Sequence, residues 1–255
     1  MPHSDMARMG AVDDQADGMT DPLKRAWKRW DADWRATWSQ DLDAPGSRQR
    51  AAFDALVFDH GFLRLLWTNR GEVVPGVWRM NQPSRARLDR LAAEGLKTVL
   101  NVRGASDWGS YFLEREACAR LGLALIDHRL RSRGAPSAEQ VLGLLEIFET
   151  AERPLLIHCK SGADRAGLAA AICRLGAGHP PRLAAAELSL RYLHIRAAKT
   201  GILDAFVESY ADAHEATGIG FRTWVTEVYD RDALEAAFKA GRAGSFLVDW
   251  ILRRE

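Results

Sequence analysis

Cys159 and Arg165 bracket five residues in the run PLLIHCKSGADRAG, residues 154–167. One is a thiol that can act as a nucleophile, the other a cation that can grip an oxyanion. The apolar run ending at His158 predicts a buried strand, the residues after it a short loop, and the stretch from Arg165 a strong helix. If the loop wraps into a cradle, successive backbone N–H groups point inward and the helix adds its positive end, which suits a tetrahedral dianion. Arg165 adds a planar fork matched to two of its oxygens. The same donors favour the thiolate of Cys159 over the neutral thiol, so this residue is expected to be the nucleophile. Lys160, Ser161, Gly162, Ala163 and Asp164 would line the cradle. His158 is expected to order the loop by hydrogen bonding, and Lys160 either faces the bound anion or is solvated.

Such a loop needs a sheet to hold it. Candidate strands run over Gly76–Met80, Thr98–Val102, Ala124–His128 and Pro154–His158, separated by helical patterns at residues 83–95, 109–122 and 136–152. The alternation predicts an α/β domain. After residue 165 the chain reads as almost wholly helical, with stretches at 166–178, 181–194 and 200–218 and a closing pair. The expected organisation is a disordered segment over 1–20, a helical extension over 21–70, the α/β domain over 71–217, and C-terminal helices over 218–255 packed on it.

The extension holds two helical stretches, 21–40 and 48–67, split by Ala-Pro-Gly-Ser. In the first, Trp27, Trp30, Trp34 and Trp38 share one face. That face either packs on the domain or makes weak contact with a membrane surface, since Lys24, Arg25, Lys28, Arg29 and Arg35 flank the indoles.

The 255 residues carry a formal net charge of +1, so there is no global field of the kind that attracts nucleic acid. Affinity for an anion must be local. Three cysteines, Cys118, Cys159 and Cys173, lack zinc-ligand spacing and suggest neither a disulfide framework nor a metal site. Cys118 and Cys173 are expected in the core. No signal-peptide order and no apolar run of about 18 residues is found, so a cytoplasmic location is expected.

The run His158-Cys159-x5-Arg165 with Gly162 and Gly167 resembles the signature of the Cys-x5-Arg superfamily of tyrosine and dual-specificity phosphatases. The likeness extends over roughly residues 73–215: Arg79-Met80-Asn81-Gln82-Pro83 and Gly95-Leu96-Lys97-Thr98-Val99-Leu100-Asn101-Val102-Arg103 look like the opening strands of bacterial members. The resemblance implies a central, mostly parallel sheet of four to five strands flanked by helices. It also implies hydrolysis of phosphate monoesters through a phosphocysteine, without metal or other cofactor. The implied substrates are phosphotyrosine or phosphoserine/threonine proteins, phosphoinositide-like lipids or other small phosphate esters. One departure is Ala166, where the family has Ser or Thr. A slower second step, or a phosphate-binding module without turnover, would follow from that loss, with Ser161 a substitute hydroxyl.

The general acid that protonates the leaving oxygen has two candidates. Asp127 resembles the family acid in its spacing before Cys159, although it could lie inside a strand and point away from the pocket. Asp164 resembles the loop aspartate of myotubularin-like and some bacterial phosphatases, and could equally be a helix N-terminal carboxylate. Arg103 either helps hold the substrate or pairs with a carboxylate. Arg129, Arg131 and Arg133 form either a solvated face or a cationic rim.

Overall fold

The computed structural model describes residues 22–39, 41–65 and 67–252, without the side chains of 22–24, 65 and 242–252. The expectation for residues 1–20 lies outside the described residues. The extension forms α1 (Pro22–Ser39) and α2 (Ser47–Leu56), followed by a short 3-10 turn at Gly61–Leu65. Strand β1 (Gly71–Val74) then turns through Pro75-Gly76 into β2 (Val77–Asn81). Helix α3 (Arg85–Ala93), strand β3 (Thr98–Asn101), helix α4 (Gly109–Leu121), strand β4 (Ala124–Asp127), helix α5 (Ala138–Thr150) and strand β5 (Leu155–Cys159) follow. The remainder is helical: α6 (Asp164–Gly176), α7 (Pro181–Ala185), α8 (Ile202–Thr217), α9 (Phe221–Glu227) and α10 (Arg231–Leu252).

The five strands lie in the order β1-β2-β5-β3-β4. Only the β1–β2 pair is antiparallel; β2–β5, β3–β5 and β3–β4 are parallel. The fold is therefore the α/β architecture that the alternating strand and helix signals predict, with the mostly parallel five-stranded sheet that the family resemblance implies. Strand β5 is buried along its whole length, which explains its apolar run Leu155-Leu156-Ile157.

Side chains alternate between the two faces of the sheet. Met80, Val99 and Leu156 pack with α3 and α4 residues on one face, while Val77, Leu100, Leu155, Ile157 and Cys159 belong to the larger core with α5, α6 and α8 on the other. Helix α6 is buried through Ala166, Gly167, Ala169, Ala170 and Ala171, small residues that let it lie close under the sheet. Cys118 and Cys173 are core residues, as expected, and burial pushes both thiols up to about 12.

Two helical expectations are corrected. The stretch 48–67 breaks after Leu56, where His60 takes a left-handed φ of 56°. The stretch 181–194 is α-helical only to Ala185, with a single 3-10 turn at Leu190–Tyr192 before Leu193 at φ 64° turns the chain. In both places a histidine and its neighbours are drawn to the phosphate-loop region by tertiary contacts that local periodicity does not carry.

The tryptophan stripe divides. Trp38 is fully buried with Ala51, Tyr111, Phe112 and Leu113, Trp34 is half-buried, and Trp27 and Trp30 stay exposed. Helix α1 thus packs on the domain at its C-terminal end only. Among the described residues no helix is long and apolar enough to cross a membrane.

Candidate functional site

Strand β5 ends at Cys159 in the middle of the sheet, at the carboxyl edge of its parallel neighbours, and α6 begins at Asp164. This is where open α/β sheets hold their ligands. The turn between them is built from outside by one backbone and two side-chain groups whose donors pull its carbonyls away from its centre. The Gln82 backbone N–H donates to Lys160 O at 3.3 Å, Asn69 Nδ2 to Ser161 O at 2.7 Å, and Arg79 Nη2 to Gly162 O at 2.6 Å and Ala163 O at 3.1 Å. A trans peptide points its N–H opposite to its carbonyl. The amides of Ser161, Gly162, Ala163 and Asp164 are therefore turned to the concave side. Consistent with this, the Gly162 N–H donates to Cys159 Sγ at 3.3 Å.

Gly162 has to be glycine on two grounds. Its φ is +76°, and a Cβ there would lie 2.7 Å from the Asn81 backbone nitrogen. Gly167 is as tightly confined, since its Cβ would meet Glu187 O at 2.8 Å.

Arg79 is fully buried, and its charge is met by Glu187 Oε2 at 2.7 Å and by the Tyr192 ring 3.8 Å away. Glu187 also takes Arg174 at 2.7 Å. Such a pair is costly to desolvate and is tolerated because both terminal nitrogens are fully engaged, Nη1 by Glu187 and Nη2 by the Gly162 and Ala163 carbonyls, while Nε has no partner. Arg165, the first-turn arginine of α6, is half-buried and forms no hydrogen bond or ion pair among the described residues.

His158 is fully buried. Its Nε2 lies 3.0 Å from Glu114 Oε1, within ion-pair distance but too bent for a hydrogen bond, and its Nδ1 lies 3.4 Å from Cys159 O. Ser161 Oγ accepts from the Ala163 N–H at 3.3 Å, within the loop. Ala166 is buried in the core.

Arg103 pairs with a carboxylate. Its two terminal nitrogens meet Asp59 at 2.7 and 2.8 Å, and Nη1 also donates to Gln82 Oε1 at 2.8 Å. Asp59 comes from the extension and also contacts Lys160 Nζ at 3.2 Å and Arg64 at 3.0 Å. Burial alone would raise its carboxyl, but the hydrogen bonds and charge of Arg103, with Arg64 and Ser110, hold it well below the usual range. Arg131 and Arg133 are exposed, and Arg129 Nε donates weakly to Arg103 O at 3.4 Å.

The two aspartate candidates part company. Asp127 is in register with Asn101, which is in register with His158, so it faces the α3–α4 side while Cys159 faces the other. Both its oxygens are occupied, by Tyr111 Oη at 2.6 Å and Asn101 Nδ2 at 2.8 Å. The structure does not bring it together with the thiol. Asp164 is the first residue of α6, directly after the loop, with Oδ1 2.7 Å from His194 Nδ1. His194 Nε2 lies 2.7 Å from Asp204 Oδ2 on α8. Burial opposes charge on this histidine, yet the two carboxylates outweigh it and raise the imidazole to about 9. His194 is thus clamped between the carboxyl groups of Asp164 and Asp204.

Asp59, Asn69, Glu187, His194 and Asp204 are site residues that the motif does not announce. Arg79 and Gln82 fall within the Arg-x-x-Gln-Pro stretch and could have been found there.

Residues 68–192 match the family described as DSP-PTPase phosphatase fused to NAD+ kinase. Among solved structures, TpbA of P. aeruginosa is 21% identical, with 67% of this chain and 90% of that chain covered at a TM-score of 0.47. The core catalytic domain of the PP-IP phosphatase SIW14 from S. cerevisiae is 22% identical, with 58% and 94% covered at 0.45. No curated protein matches the chain.

Proposed function

Residues 68–192 belong to the dual-specificity-phosphatase-like superfamily, and on that premise we propose that the chain hydrolyses phosphate monoesters through a phosphocysteine at Cys159. The observation that carries this reading is the loop in which carbonyls are tied outward and the Gly162 amide reaches Cys159 Sγ at 3.3 Å. That arrangement stabilises negative charge on sulfur and on the phosphoryl oxygens alike.

In the first step the thiolate attacks phosphorus as the P–O bond to the leaving group breaks, and Asp164 gives its proton to the departing oxygen. In the second, water attacks phosphorus, Asp164 takes the water's proton, and the thiolate leaves. Arg165 and the loop amides hold the three equatorial oxygens through both steps. His194 donates to Oδ1 of Asp164, so the proton is carried on Oδ2, which accepts no hydrogen bond among the described residues. Asp127 is not assigned this role because its oxygens are spent on Tyr111 and Asn101. His158 and Arg103 are supports: one lies behind the nucleophile, the other joins the extension to β2 and the turn after β3.

The test is release of phosphate from a generic aryl phosphate by wild type and Cys159→Ser. Loss of release in the serine variant is expected. Release that persists undiminished there would overturn the phosphocysteine. No release from wild type, with phosphate still bound, would favour the binding module that Ala166 first suggested.

A further inference from the structure

Two exposed apolar ridges flank the phosphate loop. On one side Leu190, Leu193 and Ile195 are 74%, 54% and 56% exposed. Their segment is tied to the loop, because Asn69 Nδ2 donates to Tyr192 O at 3.0 Å as well as to Ser161 O, and because His194 holds Asp164. Leu193 sits there at a left-handed φ of 64°, a conformation that is costly for leucine and turns an apolar side chain to solvent.

On the other side Phe62 is 48% exposed and follows His60, whose Nδ1 lies 3.3 Å from Lys160 Nζ. On the same segment Phe58 packs on Trp30, with ring centroids 5.7 Å apart, and Trp30 packs on Trp27, which is 59% exposed. Helix α1 also reaches the site from its polar side. Arg35 stacks on Trp108 at 3.8 Å, and Lys160 Nζ lies 5.6 Å from the same ring.

Charge decides what such ridges meet. Lys28 and Arg29 beside the exposed indoles, and Arg191 and Lys199 beside the leucine ridge, are exposed and have no carboxylate partner among the described residues. A second copy of the chain, with a formal net charge of +1, brings no excess of carboxylates to neutralise these cations. An anionic bilayer would neutralise them while burying the apolar side chains between its headgroups.

We infer that the two ridges dock this protein on an anionic lipid surface, and that the ester delivered to Cys159 is a lipid phosphomonoester. The substrate half of this inference rests on the phosphatase reading; the docking half does not.

Sedimentation of the full chain with phosphatidylcholine vesicles, with and without phosphatidylserine, tests the docking. Wild type is expected to sediment with the anionic vesicles and to be released by salt. The double variant Trp27→Ser, Trp30→Ser should bind them roughly tenfold more weakly or worse, with unchanged turnover of a soluble aryl phosphate. Unchanged turnover shows that the variant is folded. Failure of wild type to sediment, or equal sedimentation of the variant, would overturn the docking whatever the aryl phosphate rate. So would a dimer in solution that the two substitutions dissociate. For the substrate, kcat/KM on phosphatidic acid in the same vesicles should exceed that on a tyrosine-phosphorylated peptide, and the reverse order would overturn the lipid assignment. Vesicle binding without Cys159-dependent hydrolysis of any ester would instead remove the phosphatase reading.

Discussion

Arg79 donates to the carbonyl oxygen of Gly162 at 2.6 Å from a side chain with no exposure to solvent. The orientation of that peptide, and with it the inward Ala163 amide, is set by a buried guanidinium on β2 and not by the loop alone.

Replacing this residue should therefore damage both stability and turnover. Arg79→Met leaves Glu187 with Arg174 as its remaining guanidinium partner and releases two loop carbonyls. We expect a loss of about 3–5 kcal/mol in unfolding free energy, the usual cost of breaking a buried pair from one side. The measurement is the urea midpoint, with phosphate added to separate loop order from global stability. A variant as stable as wild type, with unimpaired turnover, would remove Arg79 from the cradle.

Arg165→Lys should be nearly as inactive as Arg165→Ala. Lysine keeps the charge but loses the fork that meets two equatorial oxygens together. Steady-state kinetics on an aryl phosphate decides this, and near-wild-type turnover in the lysine variant would exclude the clamp.

Asp164→Asn should lose much activity on an ester with a poor leaving group, lose little on one with a good leaving group, and lose the basic limb of the pH profile. Asp127→Asn should show none of this selectivity, only a modest effect from the broken contacts to Tyr111 and Asn101. Selectivity appearing at Asp127 instead would reverse the assignment.

His194 makes stability depend on pH in a definite direction. Its imidazole is raised in the fold to about 9 from an ordinary value of about 6.5. The folded state thus holds the proton more tightly than the unfolded chain. The resulting stabilisation is complete below about pH 6.5 and is lost as pH rises through about 9. Urea midpoints should fall over that interval in wild type, and the fall should be absent in His194→Gln. A variant that keeps the same slope would show that other groups carry it.

Much of this site is legible in the sequence because its central elements are local. Strand β5, the loop and the start of α6 are contiguous, and each has its own pattern: an apolar run, a glycine-bearing turn and an alanine-rich helix. Strands β2 to β5 fall within a residue or two of their expected ends. Strand β1 is missing from the expected set, although Pro75-Gly76 between valines is a hairpin signal and Gly76 does take a φ of +76°. The supporting residues are harder to read, because their partners are remote. His194 meets Asp164 across 30 positions, and Arg79 meets Glu187 across 108. No window of local periodicity spans such pairs. The opposite facing of Asp127 and Cys159 follows from register, which appears only once the strands are paired.

Asp59 lies upstream of the stretch that matches the phosphatase family at residues 68–192, yet it is the shared counter-ion of Arg103 and Lys160. Recombination at the edge of the recognisable domain would transplant two cations and leave their common anion behind. For this site the unit that must be inherited intact is longer than the unit that can be recognised.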